Sequence, residues 1–281
     1  MRILGVLDHN TYSCRALEDL ANLCANTWAD VTLLLLTPGE PNWEKSEDII
    51  ISLAKKFVEK TGADQGPYYL PDDINFKLQS DGSKIFVSKG KKGLILRVRT
   101  GDYSKEILRE AQEIDSDLIV LGCSKGMECE WKGVLGLPKQ IARDATCSVL
   151  VVKDTTKPNQ IISFLDQSNV SQESLELINQ MVTIHQAGLK IVGLMGEKGI
   201  VEKEDVQRKM LDIISYYNER GLHAWITFIE KSSIEDYVAN ATHEGMVALW
   251  IGKKSFFSRI FSRDLLGKLI EYARSSILIL R

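Results

Sequence analysis

The chain has 281 residues, 44% of them hydrophobic and 26% charged, with a formal net charge of −3. This length suits two domains of ordinary size, each with its own core. The balance excludes a disordered polar chain, and it supplies no global attraction for nucleic acid or an anionic membrane. No apolar run reaches the roughly 18–20 residues of a membrane-spanning helix. The apolar stretch of MRILGVLDHN is too short for a signal peptide and is interrupted by Asp8. A cytoplasmic location is the expectation, with no nucleic-acid partner.

In chain order, Ile3 to Leu7 is an apolar run stopped by Asp8, followed by a helical stripe through Leu17, Leu20, Ala21 and Cys24. A second apolar strand runs Val31 to Leu36, and a helical segment covers about 44–61. Residues 65–92 break the rhythm with Pro67, Pro71 and a Ser80-Asp81-Gly82-Ser83 turn. Ile74 to Leu78 and Lys84 to Val87 alternate about that turn and suit a hairpin. Two readings stay open for this insert: a decorated surface loop, or an arm that covers a site or a partner. Leu94 to Val98 is the third strand, and a helix capped near Asp102 follows. The fourth strand is Leu118 to Gly122; one more helix and the strand Val149 to Val152 close the half.

The pattern then repeats. Ile161 to Asp166 matches the opening strand, and Lys190 to Leu194, Ala224 to Ile229, Val247 to Gly252 and Ile277 to Leu280 match the later ones. The helical counterparts carry Leu175, Ile178, Met181, Val182 and His185, then span about 201–220, then begin near Ser232-Ser233. Residues 65–92 have no counterpart. Uniformly apolar strands alternating with helices imply parallel sheets covered on both faces. The expected fold is therefore α/β: two doubly wound, mostly parallel five-stranded domains in tandem, over 1–153 and 159–281. The polar linker of residues 154–159 is short, so the two halves are expected to pack as an intramolecular pseudo-dimer.

This layout resembles the universal stress protein family, a Rossmann-like group. The residues that carry the likeness are the strand-ending Asp8 and Asp166, the Thr100-Gly101-Asp102 turn, and the glycines after the fourth strand. Nucleotide-binding members carry G-x2-G-x9-G followed by Ser or Thr at that place. Here the loop reads Gly122-Cys123-Ser124-Lys125-Gly126, nine residues, then Gly136-Leu137-Pro138. The first spacing is one residue longer than the pattern, Leu137 replaces the hydroxyl, and Pro138 has no N–H to offer a phosphate.

The resemblance implies a stress-response or signalling protein that binds ATP, with or without Mg, through Asp8, Gly122, Lys125, Gly126, Gly136 and the backbone at Leu137. The physical basis is a glycine loop and a helix N-terminus presenting backbone donors to phosphates. In the second half Arg263 or Asp264 stands where the last glycine belongs, and Asp264 would repel a phosphate there. The alternative is a nucleotide-free regulatory module docking on a protein or a membrane transporter. Its surface would be the 65–92 arm or the basic-aromatic segment of residues 253–263. A homodimer is also compatible with the sequence.

Catalytic signatures are lacking. The four histidines, His9, His185, His223 and His243, form no recognisable triad or metal motif. Slow ATP hydrolysis is the most chemistry expected. The five cysteines are odd in number with no CxxC pair, so all are expected to be reduced. Cys123 and Cys129, near Lys125 and Lys132, are the two expected to have a lowered pKa.

Overall fold

The computed structural model describes residues 1–37, 42–62, 66–124, 131, 136–153, 157–164, 171–195, 208, 211–230, 233–251 and 263–281. The chain divides into two compact units, Met1–Asp154 and Thr155–Arg281.

In the first unit the strands are β1 (Arg2–Leu7), β2 (Asp30–Thr37), β3 (Lys77–Leu78), β4 (Lys84–Lys89), β5 (Gly93–Thr100), β6 (Leu118–Cys123) and β7 (Ser148–Lys153). Their order in the sheet is β7-β6-β1-β2-β5-β4-β3. β1, β2, β5, β6 and β7 pair in parallel. Helices α1 (Thr11–Asn26) and α2 (Trp43–Lys60) cover one face; α3 (Tyr103–Glu113) and α4 (Leu137–Asp144) cover the other. Every residue of β6 and β7 is buried, as expected of parallel strands with helices on both faces.

Local chemistry sets the helix starts. Asn42 accepts from the Lys45 N–H to cap α2, and Asp102 accepts from the Lys105 N–H to cap α3. Gly101, with φ of +130°, makes the reversal before that cap.

The insert is part of the sheet. β3 and β4 form the expected antiparallel hairpin, and β4 also pairs antiparallel with β5, from Lys84 against Val98 to Lys89 against Gly93. The first sheet therefore has seven strands. Tyr68 donates to the Ala29 carbonyl, Lys84 pairs with Glu47, and Lys92 donates to the carbonyls of Cys24 and Thr27. Arg99 is 1% exposed as a side chain and ties the hairpin turn to α3. Its guanidinium reaches Asp81 at 2.8 Å, Glu110 at 2.5 Å, Glu106 at 3.4 Å, and Glu113.

The second unit has β8 (Gln160–Phe164), β9 (Gly188–Met195), β10 (Ala224–Glu230), β11 (Met246–Trp250) and β12 (Ile277–Leu280). Their order is β10-β9-β8-β11-β12, all parallel. This is the sequence order 3-2-1-4-5 that β5-β2-β1-β6-β7 also follows. Its helices are α5 (Gln172–His185), α6 (residues 211–218), α7 (Ile234–Glu244) and α8 (Arg263–Tyr272). Ser171 caps α5 by accepting from the Ser174 N–H. Among the described residues, no helix is long and apolar enough to cross a membrane.

Candidate functional site

In a doubly wound sheet, ligands meet the carboxyl ends of the strands where the order reverses, here between β1 and β6. Asp8, Gly122, Gly136 and Leu137 fall at or near that end; Lys125 and Gly126 lie outside the described residues, as does Lys132.

Asp8 is fully buried. One carboxylate oxygen accepts from the Asn10 N–H at 2.9 Å and the Ser13 hydroxyl at 2.6 Å. The other accepts from the Asn10 side-chain amide at 2.7 Å and the Tyr12 hydroxyl at 2.8 Å. Ser13 in turn accepts from the Asp8 N–H at 3.0 Å. A carboxylate has about four lone-pair positions, and all four serve the turn into α1. The chemistry of Asp8 is thus spent on shaping the loop.

Gly122 is required by packing. A Cβ there would stand 2.5 Å from the Tyr12 carbonyl oxygen, so the glycine lets the head of α1 lie against the end of β6. Gly136 caps α4 in the left-handed region, φ +71°, and a Cβ added to it would meet nothing within 4 Å among the described residues. Among the described residues the head of α4 is open on that side. Leu137 is 2% exposed and anchors the helix by burial. Pro138 lacks an N–H, which leaves the backbone N–H groups of Leu137 and Lys139 in the first turn.

Two aromatic residues complete the site, and the sequence reading did not single them out. Trp131 is fully buried and meets Tyr103, the first residue of α3, edge-on at 5.2 Å. Among the described residues its indole N–H has no partner. Burial, then the charge of Asp8, pushes the Tyr103 hydroxyl above the ordinary range. A tryptophan eight residues past the end of β6, in a polar, glycine-bearing loop, was the available signal, because such a residue in a loop is usually packed into something.

The second unit fills the corresponding place differently. In β1 and β6, Val6 faces Leu121; in β8 and β11, Phe164 faces Leu249. One residue further along, Gly122 corresponds to Trp250, which corrects the sequence pairing of Gly122 with Gly252. The correct register follows hydrogen-bonded neighbours, whereas the sequence comparison followed the glycine. Trp250 is 6% exposed, and its indole N–H has no partner among the described residues. The 253–263 segment lies outside the described residues, apart from the backbone of Arg263 that begins α8.

The cysteines also depart from expectation. Cys14, Cys24 and Cys147 are in no disulfide, but Cys123 is disulfide-bonded. The absence of a CxxC pair had excluded only the shortest bridges. Burial pushes the Cys24 thiol up to about 12, with Tyr68 and Lys92 opposing weakly. Among the described residues no cluster of three or more His, Cys, Asp or Glu could hold a metal ion.

Solved structures share this fold along its length. A universal stress protein from Archaeoglobus fulgidus DSM 4304 matches with a TM-score of 0.63 at 13% identity, over 100% of this chain and 96% of that one. A functionally unknown protein from Pseudomonas aeruginosa PAO1 matches with 0.58 at 14% identity, over 99% and 92%. The cytoplasmic domain of a prokaryotic cation chloride cotransporter matches with 0.56 at 11% identity, over 99% and 94%. No curated protein sequence matches the chain significantly. The model of the Universal stress protein family matches residues 1–153, more than half of the chain. The chain belongs to the universal stress protein family.

Proposed function

We propose that this is a cytoplasmic stress-response or signalling protein, regulatory rather than catalytic, whose first unit binds an adenine nucleotide, ATP. The nucleotide lies at the carboxyl ends of β1 and β6 with its phosphates toward the head of α4. One observation carries the reading: α4 opens on a left-handed Gly136 and, among the described residues, nothing fills the space where a side chain would stand. Backbone N–H groups and the helix dipole make such a place favourable for phosphate oxygens. The buried indole N–H of Trp131, without a partner among the described residues, supports the same reading as a second donor near Tyr103.

In this proposal Asp8 and Gly122 shape the floor of the site instead of touching the ligand. Gly126 contributes backbone and Lys125 charge, on the strength of the sequence alone. Magnesium would arrive with the triphosphate, since the described residues offer it no acidic cluster. Slow hydrolysis would follow only from binding.

A second reading has its own support. With all four acceptor positions of Asp8 used internally and Pro138 in the first turn of α4, the site is poor in groups for a ribose and phosphates. The chain would then be a nucleotide-free module docking on a protein. The fold shared with a transporter's cytoplasmic domain supports a membrane transporter as one such partner.

Calorimetric titration of the nucleotide-stripped chain with Mg-ATP separates the two. Asn and Asp both tolerate a left-handed backbone, so Gly136→Asn and Gly136→Asp differ mainly in charge. Micromolar binding retained by Gly136→Asn and weakened about tenfold or more by Gly136→Asp supports the nucleotide site. Absence of heat in the unaltered chain overturns it and favours the second reading.

A further inference from the structure

The two sheets share the order 3-2-1-4-5, yet their third strands are finished differently. In the first unit β4 covers the outer edge of β5 with six antiparallel pairs. In the second unit β10 is the last strand of its order, paired with β9 through all seven of its residues. Among the described residues nothing pairs with its other side. Among the described residues, one row of backbone N–H and C=O groups along β10 is thus left without a paired strand.

Edges of this kind are usually blunted by lysine, proline, a bulge or shortness. The first unit follows that practice: β3 has two residues, and β4 carries Lys84 and Lys89 at its ends. β10 does not. Its sequence is Ala-Trp-Ile-Thr-Phe-Ile-Glu, aromatic or β-branched from Trp225 to Ile229, with one charge, at its carboxyl end. Trp225 is 42% exposed, and Ile226, Thr227 and Phe228 are half-buried.

We propose that β10 is a self-association edge, on which β10 of a second copy of this chain pairs antiparallel. The first unit supplies the geometry, because the strand that completes β5 is antiparallel. A two-fold axis generates the same arrangement between identical strands. β10 is self-complementary about Thr227. Centred there, Ile226 faces Phe228 of the second copy, Trp225 faces Ile229, and Glu230 faces Ala224. The inner pairs are apolar, and like charges are not opposed within the strand. Facing aromatic and β-branched side chains are the favourable cross-strand combination. A lysine-bearing edge such as β4 would oppose its own charges in the same arrangement. The pairing is independent of nucleotide, since it uses neither Gly136 nor Trp131.

Sedimentation of the full chain from low to high micromolar concentration reads the association. The expected result is a mass rising from 31.6 kDa toward twice that value. Ile226→Lys with Phe228→Lys sets ammonium groups along the paired edge and is expected to raise the dissociation constant at least about 100-fold, with an unchanged circular dichroism spectrum. Val87→Lys, on β4, is expected to leave the association unaltered. If the double variant fails to fold, Thr227→Cys in a Cys14→Ser background decides, because the axis brings that position against its own copy. Oxidation is then expected to give a covalent dimer on a non-reducing gel. A chain that stays at 31.6 kDa throughout, a dimer indifferent to the folded double variant, or no cross-link at Thr227→Cys overturns the proposal.

Discussion

The carbonyl oxygen of Tyr12 lies 2.5 Å from the point where a Cβ on Gly122 would stand. The carbonyl carbon is at 2.8 Å, so the obstacle is backbone and cannot rotate aside. Gly122→Ala must therefore push the first turn of α1 away from the end of β6. Overpacking of this type costs about 1–3 kcal/mol. Chemical denaturation of the variant is expected to show that loss with an unchanged m-value.

Asp8 closes the same turn by accepting four hydrogen bonds. Asp8→Asn keeps the shape but turns one acceptor oxygen into an amide donor. That amide faces either Asn10 N–H and Ser13, or the Asn10 amide and Tyr12. A buried donor set against donors costs about 1–3 kcal/mol. The variant is expected to melt lower while its affinity for any bound nucleotide changes little. A large loss of affinity with unchanged stability would return Asp8 to the ligand.

Much of this fold was readable because parallel strands covered on both faces leave an unmistakable trace. Leu118 to Leu121 and Val149 to Val152 are apolar at each position and buried at each position. Asp102, too, announced its cap by type and place. The hairpin about Ser80 to Ser83 was legible from alternation, but its pairing onto β5 was not, since local pattern does not name a strand's neighbour. The site was less legible still. Motif spacing drew attention to Gly122 as a phosphate contact, whereas its glycine character answers to Tyr12. Trp131 and Trp250 stand outside any motif, and only register and burial identify them.

Arg99 is buried with Glu110, whose side chain is 2% exposed. Burial alone would lower the Arg99 pKa, but Glu110, Glu113 and Asp81 together raise it. Losing the partner of a buried charge costs about 3–5 kcal/mol where nothing replaces it; here Arg97 also reaches Glu110, at 3.1 Å, and stays with it when Arg99 is gone. Arg99→Leu is expected to lose part of that figure. Arg99→Leu with Glu110→Leu is expected to recover some of the loss, because the buried carboxylate is gone and Arg97 keeps Glu113. Thermal unfolding of the two single variants and the pair, as a double-mutant cycle, gives the coupling.

The hairpin is held to α3 through Asp81, and that hold has a pH window. Burial disfavours the charged carboxylate, but the Ser83 hydroxyl, the Ser83 N–H and the Arg99 charge outweigh it and hold the pKa at about 2, against 3.8 for the free side chain. A folded pKa below the unfolded one means that the protein binds fewer protons when folded. The stabilisation is therefore complete above the unfolded value and disappears as pH falls through the folded one. Glu113, lowered despite its burial by Arg109 and Arg99, works in the same direction. Asp81→Asn retains an acceptor for Ser83 and discards the charge facing Arg99 and Arg109. At neutral pH this variant is expected to melt below the unaltered protein, and the gap should close as pH falls from about 4 to about 2. Melting temperatures of both proteins across that range provide the measurement; a gap constant with pH would mean that the turn is held by Ser83 and packing rather than by charge.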